Sequence, residues 1–481
     1  MPDPWGFVKI KQQPAMKRPI QIRVRDWYEV YEPTKDDTVR SQAARCMDCG
    51  IPFCHNGCPL GNLIPEWNDL VYRDHWQEAI ERLHDTNNFP EFTGKLCPAP
   101  CEPSCVLGIW EESVTIKQIE MSIIDHAFNE GWVTAKPPSV RTGKRVAVIG
   151  SGPAGLAAAQ QLNWAGHLVT VFEKSDRIGG LMRYGIPDFK MAKTLLDRRL
   201  ELLAEEGIEF VTGADIGATV AADELVNEFD ATVLTIGALK HRDLPIPGRE
   251  LDGVHFAMDY LTQQNRILAG DEVPEHERID ASGKRVVIIG GGDTGADCFG
   301  TAIRQGAADV VQFQRWPQPP EQRKPENPWP EPPEVFQYSP AHEEGGSREF
   351  AIATREFSGE NGRLTTLHGA RYEVVPTDSG RPKLAEKDGT EFEMPVELVL
   401  LAIGFSGPEP GDVISQLQLD MSDRGTISVD AQQQTSVPGV FSAGDASRGQ
   451  SLIVWAIAEG RKVAHHVDEF LMGETSLPRP W

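Results

Sequence analysis

The stretch RVAVIGSGPAG at residues 145–155 decides the fold, and a close copy, RVVIIGGGDTG, follows at residues 285–295. In each copy a β-branched apolar run leads into glycines spaced GxGxxG, and a helical pattern and a second apolar run come next. This order predicts a strand, a tight turn and a helix whose N-terminus faces a dinucleotide pyrophosphate. The copies lie too far apart for a solenoid repeat, so they predict two nucleotide-binding domains in an α/β fold.

The first glycine motif is complete at the level of sequence. Its three glycines follow the strand directly, and the strand after the helix ends at Glu173, whose carboxylate can accept a hydrogen bond from a ribose hydroxyl. The glycines are Gly150, Gly152 and Gly155. Strand, glycines, helix, strand and acid together indicate a dinucleotide site and not merely a structural turn.

Two later segments indicate which dinucleotide binds to the first motif. Gly180 closes an ExxxxxGG arrangement that begins at Glu173, and a strand near the C-terminus is followed by Gly444 and Asp445. Together these features resemble flavoproteins with two dinucleotide-binding domains. In that family the flavin site is divided between the first unit and the last ~80 residues, and the implied ligand is FAD.

The second motif differs at the end of its next strand. Gln314 occupies the position of the acid, and Arg315 follows it. A neutral residue with an arginine favours a 2′-phosphate, so this unit is predicted to bind NADPH in preference to NADH. Arg304, Arg323 and Lys324 offer further positive charge, with solvated surface charges as the alternative. The other predicted contacts are Gly290, Gly292, Asp293, Thr294 and Gly295.

Seven of the eight cysteines lie between residues 46 and 105. A single CxxC pair and the lack of histidines at ligand spacing disfavour zinc, and the lack of a secretion signal disfavours disulfides, although both remain alternatives. Thiolate runs that end in Cys-Pro are typical of [4Fe–4S] binding. Seven thiolates are one fewer than two four-ligand sites need. The runs are Cys46-x2-Cys49-x4-Cys54-x3-Cys58-Pro59 and Cys97-x3-Cys101-x3-Cys105.

Glu120 is a candidate for the eighth ligand. At helical spacing it falls within the apolar stripe of Ile116, Ile119, Ile123, Ile124 and Ala127. A carboxylate within such a stripe is costly unless something compensates its charge. The alternative is an internal ion pair with an arginine or a lysine.

Composition narrows the class of protein. The 481 residues carry a formal net charge of −24, which argues against a binder of nucleic acid or of an anionic membrane. Neither an apolar span nor a signal peptide is visible, so a cytoplasmic location is expected. The expected division is a mainly helical domain at 1–143, an FAD-binding domain at 144–283 and 405–481, and an inserted NADPH-binding domain at 284–404. Residues 317–340 are too rich in proline for regular structure.

Over nearly its whole length the chain resembles the small (beta) subunits of bacterial NADPH-dependent glutamate synthases. The cysteine arrangement, the glycine motifs, GGLMRYGIPDFKM, NPWPEPPEVF, AHEEGG and VFSAGDASRGQSLIVWAIAEGR carry the resemblance. It implies two clusters. One would be held by Cys46, Cys49, Cys54 and Cys105, and the other by Cys58, Cys97, Cys101 and Glu120.

The resemblance also implies an activity. NADPH would be oxidised at FAD, and the electrons would leave through the clusters to a large (alpha) subunit that makes L-glutamate from L-glutamine and 2-oxoglutarate. One rival is the electron-input subunit of a related dihydropyrimidine dehydrogenase or ferredoxin:NADPH oxidoreductase. The other is a nucleotide-binding iron–sulfur scaffold or sensor without enzymatic activity.

Overall fold

The computed structural model describes residues 3–376, 382–409 and 411–480. Its helices are α1 Gly6–Lys9, α2 Ile20–Arg23, α3 Asp36–Ala43, α4 Phe53–Gly57, α5 Ile64–Tyr72, α6 Trp76–His84, α7 Pro90–Leu96, α8 Ile116–Asn129, α9 Pro153–Trp164, α10 Leu181–Tyr184, α11 Lys193–Glu205, α12 Ala222–Glu228, α13 Ala257–Leu268, α14 Asp293–Arg304, α15 Asp412–Gln416, α16 Asp445–Arg448 and α17 Ile453–Met472. Its strands are β1 Arg145–Ile149, β2 Leu168–Glu173, β3 Glu209–Thr212, β4 Ala231–Leu234, β5 Val254–Phe256, β6 Arg285–Ile289, β7 Asp309–Gln314, β8 Ser347–Phe350, β9 Ile352–Glu360, β10 Arg363–Val375, β11 Lys383–Glu386, β12 Phe392–Pro395, β13 Leu398–Leu401 and β14 Val440–Ser442. Within these ranges, none of the helices combines the length and the apolar character that crossing a bilayer requires.

Helices α1–α8 form the N-terminal unit, as the sequence predicts. The apolar stripe of α8 is buried, and Glu120 is buried with it. Arg199 of α11 and Glu91 of α7 form a buried ion pair, with Nε and Oε1 2.6 Å apart. This pair fixes the helix that leads into Cys97 against the first dinucleotide-binding unit.

The first sheet has the strand order β14-β4-β1-β2-β3, and every pairing in it is parallel. Phe441 of β14 lies opposite Val233 of β4, so a strand from the C-terminal region completes a sheet that begins at residue 145. This arrangement confirms the predicted α/β fold, in which one unit is inserted into the other.

The second sheet has the order β5-β13-β6-β7-β8 and is also parallel throughout. Its first strand, β5, pairs with β13, with Val254 opposite Val399. By sheet membership the second unit therefore starts before residue 284, the boundary expected from the sequence. Pairing between strands so distant in the chain leaves no local sign in the sequence, which explains the difference.

The chain crosses between the two units at neighbouring points. The amide of Arg242 donates to the carbonyl of Gly404 at 2.9 Å, and the amide of Ser406 donates to the carbonyl of Lys240 at 2.9 Å. The two crossing segments therefore lie side by side and are joined by backbone hydrogen bonds.

The proline-rich segment has no helix or strand among residues 315–339, all of which the structure describes. The ring of Trp329 lies 4.6 Å from the ring of Phe53 in α4, measured between centroids. The segment therefore extends from the second unit to the cysteine-bearing helices.

Candidate functional site

The glycines of the first motif have separate roles. Gly150 has a φ of +102°, and an added Cβ there would lie 2.4 Å from the carbonyl oxygen of Thr235. At Gly155 an added Cβ would lie 2.0 Å from the oxygen of Gly150, so the turn and the helix can pack only without a side chain. At Gly152, by contrast, an added Cβ meets nothing within 4 Å. Gly152 therefore faces open space at the N-terminus of α9, where a pyrophosphate would lie.

A cavity of about 1250 Å³ opens over this turn. Glu173 lines it and is 6% exposed. Its Oε2 accepts from the hydroxyl of Ser151 at 2.5 Å and from the Ser151 amide at 3.2 Å, and its Oε1 accepts from the amide of Ser175 at 2.8 Å. Glu173 is thus held rigidly at the wall of the cavity. The contribution of Ser151 was missed in the sequence, where it is only a variable position between glycines.

The remaining predicted flavin contacts meet at the same cavity. An added Cβ at Gly180 would lie 3.1 Å from the Cα of Gly152, and one at Gly444 would lie 2.8 Å from the Cβ of Ala154. Asp445 accepts from the hydroxyl of Ser451 at 2.9 Å, and burial raises the pKa of its carboxyl group. Open backbone at the helix N-terminus, two carboxylates on the wall and the size of the cavity all fit an FAD.

The second motif repeats this backbone. Gly290 has a φ of +134°, and an added Cβ would lie 2.1 Å from the oxygen of Ala402. At Gly295 it would lie 2.5 Å from Nε2 of Gln312, whereas at Gly292 it meets nothing within 4 Å. Asp293 begins α14 and lines the same large cavity, and Thr294 beside it is half-buried. The second glycine turn therefore also leaves room for a dinucleotide, next to the cavity of the first.

The predicted phosphate contacts are not all gathered at this turn. The side chain of Gln314 lies against Gly291 and, with its oxygen turned toward Arg348, accepts from Nη2 of Arg348 at 2.6 Å. Arg315 is exposed, and its guanidinium carbon lies 5.5 Å from the centre of the Tyr372 ring. Arg348 lies on β8, and no local signal in the sequence connects it with the glycine turn.

Two other basic residues have protein partners. Arg323 donates to the carbonyl oxygen of Glu331 at 2.7 Å within the proline-rich segment. Arg304 forms a buried ion pair with Glu344, and its side chain is 1% exposed. The expectation that Arg304 adds charge to a phosphate site is therefore wrong, and so is the alternative of a solvated surface charge.

Cys46, Cys49, Cys54 and Cys105 line one small cavity in the N-terminal unit. They are the cysteines that the resemblance assigns to one cluster. Burial raises the pKa of the Cys46 thiol to about 12 and also raises the pKa of Cys54. A thiolate in this cavity therefore needs a metal centre to neutralise its charge. None of the eight cysteines, all in the described ranges, forms a disulfide, which removes that alternative.

Glu120 lies beside the other three cysteines of the region. Burial and, to a smaller extent, the Glu120 carboxylate raise the pKa of Cys58 to about 11 and that of Cys97 to about 12; they also raise the pKa of Cys101. Both hydrogen bonds to Glu120 end on Oε1, from Asn87 at 2.8 Å and from Thr93 at 2.7 Å. No ion pair to Glu120 forms among the residues described, in contrast to the alternative stated above. Its Oε2 remains available, so three thiolates and a carboxylate can complete a cluster.

The large cavity at the first glycine motif and the cysteine region are next to each other. Leu96 and Pro98, which flank Cys97, line the large cavity below the first glycine motif. Cys49 is the one cysteine of the seven that is partly exposed. The cysteine region therefore borders the large cavity near Cys97 and reaches the molecular surface at Cys49.

Comparison with known proteins places these sites in a family. The glutamate synthase [NADPH] small chain of Mycobacterium tuberculosis (strain CDC 1551 / Oshkosh) is 57% identical, over 100% of this chain and 98% of the relative. The chain belongs to the glutamate synthase small-chain family. The Bacillus subtilis (strain 168) member is 49% identical, over 99% of this chain and 100% of its own. A Schizosaccharomyces pombe relative named glutamate synthase [NADH] is 46% identical, but the match covers only 23% of that longer protein.

Two domain families match as well. Residues 144–460 match pyridine nucleotide-disulphide oxidoreductase, which identifies the chain as an oxidoreductase. Residues 23–132 match dihydropyrimidine dehydrogenase domain II, 4Fe-4S cluster, which supports iron–sulfur over zinc. FprA of M. tuberculosis, solved with NADPH, shares the fold with a TM-score of 0.55 at 22% identity, over 69% of this chain and 85% of that one.

Proposed function

We propose that this chain is the electron-input subunit of a glutamate synthase. It oxidises NADPH at FAD and passes the electrons through two [4Fe–4S] clusters to a large (alpha) subunit that makes L-glutamate from L-glutamine and 2-oxoglutarate. The observation that carries the proposal is the contact between the flavin cavity and the segment around Cys97, which joins a reductase site to a cluster site. When bound, FAD supplies the two-electron acceptor and the clusters supply the one-electron carriers.

The first unit would hold FAD by its backbone and two acids. The open N-terminus of α9 at Gly152 faces the pyrophosphate. Glu173 would accept from a ribose hydroxyl, and Asp445 would accept from the ribityl chain. Backbone segments can pack closely around this turn because no side chain is present at Gly150, Gly155, Gly180 and Gly444.

The second unit would hold NADPH in the same way. Gly290, Gly292 and Gly295 shape the turn, and Asp293 and Thr294 begin the helix above it. Arg315 and Arg323 remain predicted phosphate contacts. The exposed guanidinium of Arg315 favours this role, whereas that of Arg323 already has a protein partner.

The cluster ligands we propose are the two sets given above, with Glu120 as the one oxygen ligand. The set next to Leu96 and Pro98, with Cys97, would be the first to receive electrons. The set with Cys49 reaches the surface and would deliver the electrons.

The protein that receives these electrons would be the large subunit. The S. pombe relative supports such a partner, because its matched region is joined to a much longer chain. Cysteines that bind clusters and form no disulfides in the described structure favour a cytoplasmic location, as proposed from the sequence.

Copurification with a glutamate synthase large subunit tests the proposal. The reconstituted complex should oxidise NADPH only when glutamine and 2-oxoglutarate are both present. A complex that reduces a pyrimidine or a ferredoxin instead would assign the chain to the rival role. NADPH oxidation with an artificial acceptor by the small subunit alone should persist in either case.

Glu120→Ala tests the ligand assignment. Iron and sulfide should fall to about one cluster per chain, or the cluster spectrum should change, because an oxygen ligand is lost. Reduction of the flavin by NADPH should survive. Glu102→Ala is the matched control, since Glu102 binds the backbone amide of Lys117 at 3.0 Å and is not a proposed ligand. Full iron with an unaltered spectrum in Glu120→Ala would place the ligand elsewhere.

A further inference from the structure

Asn68 of α5 faces the cavity of Cys46, Cys49, Cys54 and Cys105 and is fully buried. The other side chains that line this cavity in the described structure are hydrocarbon or contain sulfur. Among the described residues that line this cavity, Asn68 therefore has the one amide side chain, and it lies among cysteine thiols.

The amide of Asn68 makes no hydrogen bond of full geometry to any described residue, at its nitrogen or at its oxygen. A buried polar group left in this state destabilises the folded chain. Asn87, equally buried, shows the ordinary outcome: its Nδ2 donates to Thr93 and Glu120, and its Oδ1 accepts from the amide of Phe89 at 3.0 Å. The Asn68 amide does act on the sulfur of Cys46 by a weaker contact, because as a hydrogen-bond donor it lowers the pKa of that thiol against the larger effect of burial.

We infer that Asn68 donates an N–H hydrogen bond to sulfur at the cluster that Cys46, Cys49, Cys54 and Cys105 hold, and thereby raises the reduction potential of that cluster. The inference rests on the proposed function, which places a cluster in this cavity. A donor at sulfur stabilises the additional negative charge of the reduced state, so it favours reduction. Asn68 thus makes the cluster at the surface the better acceptor and directs electrons outward.

Redox titration of the purified holoprotein, followed by electron paramagnetic resonance of the reduced clusters, tests the inference. In Asn68→Leu the midpoint potential of one cluster should move to a more negative value, while that of the other stays unchanged. Ile64→Val is the matched control, because Ile64 lines the same cavity from the same helix but its side chain has no hydrogen-bond donor. Its midpoint potentials should equal those of the unsubstituted chain.

A second pair of variants covers the case in which Asn68→Leu fails to assemble a cluster. Asn68→Ser keeps a donor and Asn68→Ala does not, while both leave a similar space. The Ser variant should have the less negative midpoint potential, and equal values would overturn the inference. Unchanged potentials in Asn68→Leu with full iron would also overturn it. An unsubstituted chain without iron and sulfide would instead overturn the proposed function.

Discussion

The two dinucleotide-binding units have the same backbone arrangement at their glycine turns, but they differ in the side chains that lie beside those turns. Both have five parallel strands and a turn in which two glycines are packed and the middle one is open. In the first unit the next strand ends at Glu173, which is buried and bonded to the turn through Ser151. In the second the same position holds Gln314, which meets Arg348 beside an exposed Arg315.

This difference separates two kinds of information in the sequence. The spacing of the glycines determines the turn, because only a residue without a side chain fits at two of its positions. The residue at the strand end determines which ligand the turn accepts, because it supplies either a carboxylate for a ribose or positive charge for a phosphate. Substitutions at matched positions should therefore have different consequences in the two units.

The largest effect is expected at the packed glycines. Gly155→Ala should yield protein without flavin, because its Cβ would lie 2.0 Å from backbone oxygen, which cannot move without the turn. Gly295→Ala should retain flavin but lose NADPH oxidation. Visible absorption and turnover measure both. Full flavin in Gly155→Ala would refute the assignment of FAD to the first unit.

The next largest effect is expected for Glu344→Ala, which should lower the free energy of unfolding. Its carboxylate is fully buried between Arg304, 2.5 Å away, and Arg23, 2.7 Å away. Breaking such a pair costs about 3–5 kcal/mol, because buried charge is left without a partner. Urea denaturation of Glu344→Ala should show this loss. Glu343→Ala is the control: Glu343 is a third exposed and should lose less than about 1 kcal/mol.

Glu173→Ala should weaken FAD binding by about 1.5–3 kcal/mol, the contribution of a hydrogen bond to a charged group. That corresponds to at least about a tenfold loss of affinity. Flavin retention on dialysis measures it, and iron content should be unchanged. The matched Gln314→Ala in the second unit should retain flavin fully. An equal loss in both variants would mean that the strand-end residue does not select the ligand.

The smallest effect separates the two cofactors of the second unit. Arg315→Ala should raise the KM for NADPH about tenfold and leave that for NADH nearly unchanged, since only NADPH has the 2′-phosphate. Arg323→Ala should change the KM for NADPH much less, because its guanidinium is engaged with Glu331. Steady-state kinetics with both cofactors gives the comparison. Equal effects of Arg315→Ala on both cofactors would contradict the phosphate contact.

Local patterns in the sequence predicted the glycine turns, the parallel sheets and the buried stripe of α8 with Glu120. Each depends on residues a few positions apart, where the geometry of a turn or a helix links them directly. The membership of β5 in the second sheet, the burial of Arg304 against Glu344 and the contact of Arg348 with Gln314 could not be predicted this way. Those contacts join distant segments. Asn68 was missed for a related reason, because only the folded chain brings it beside Cys46.

The place of β14 at the edge of the first sheet has a consequence for synthesis. During synthesis the N-terminal part of the chain leaves the ribosome first. Strands β5 to β13 therefore emerge before β14 can pair with β4. The inserted unit can therefore complete its sheet while the unit that surrounds it is still open. Asp445 and Gly444 follow β14, so the flavin cavity gains its last wall only after the inserted unit has been made. Nascent chains stalled before residue 440 should be protected from protease in the inserted unit and should hold no flavin.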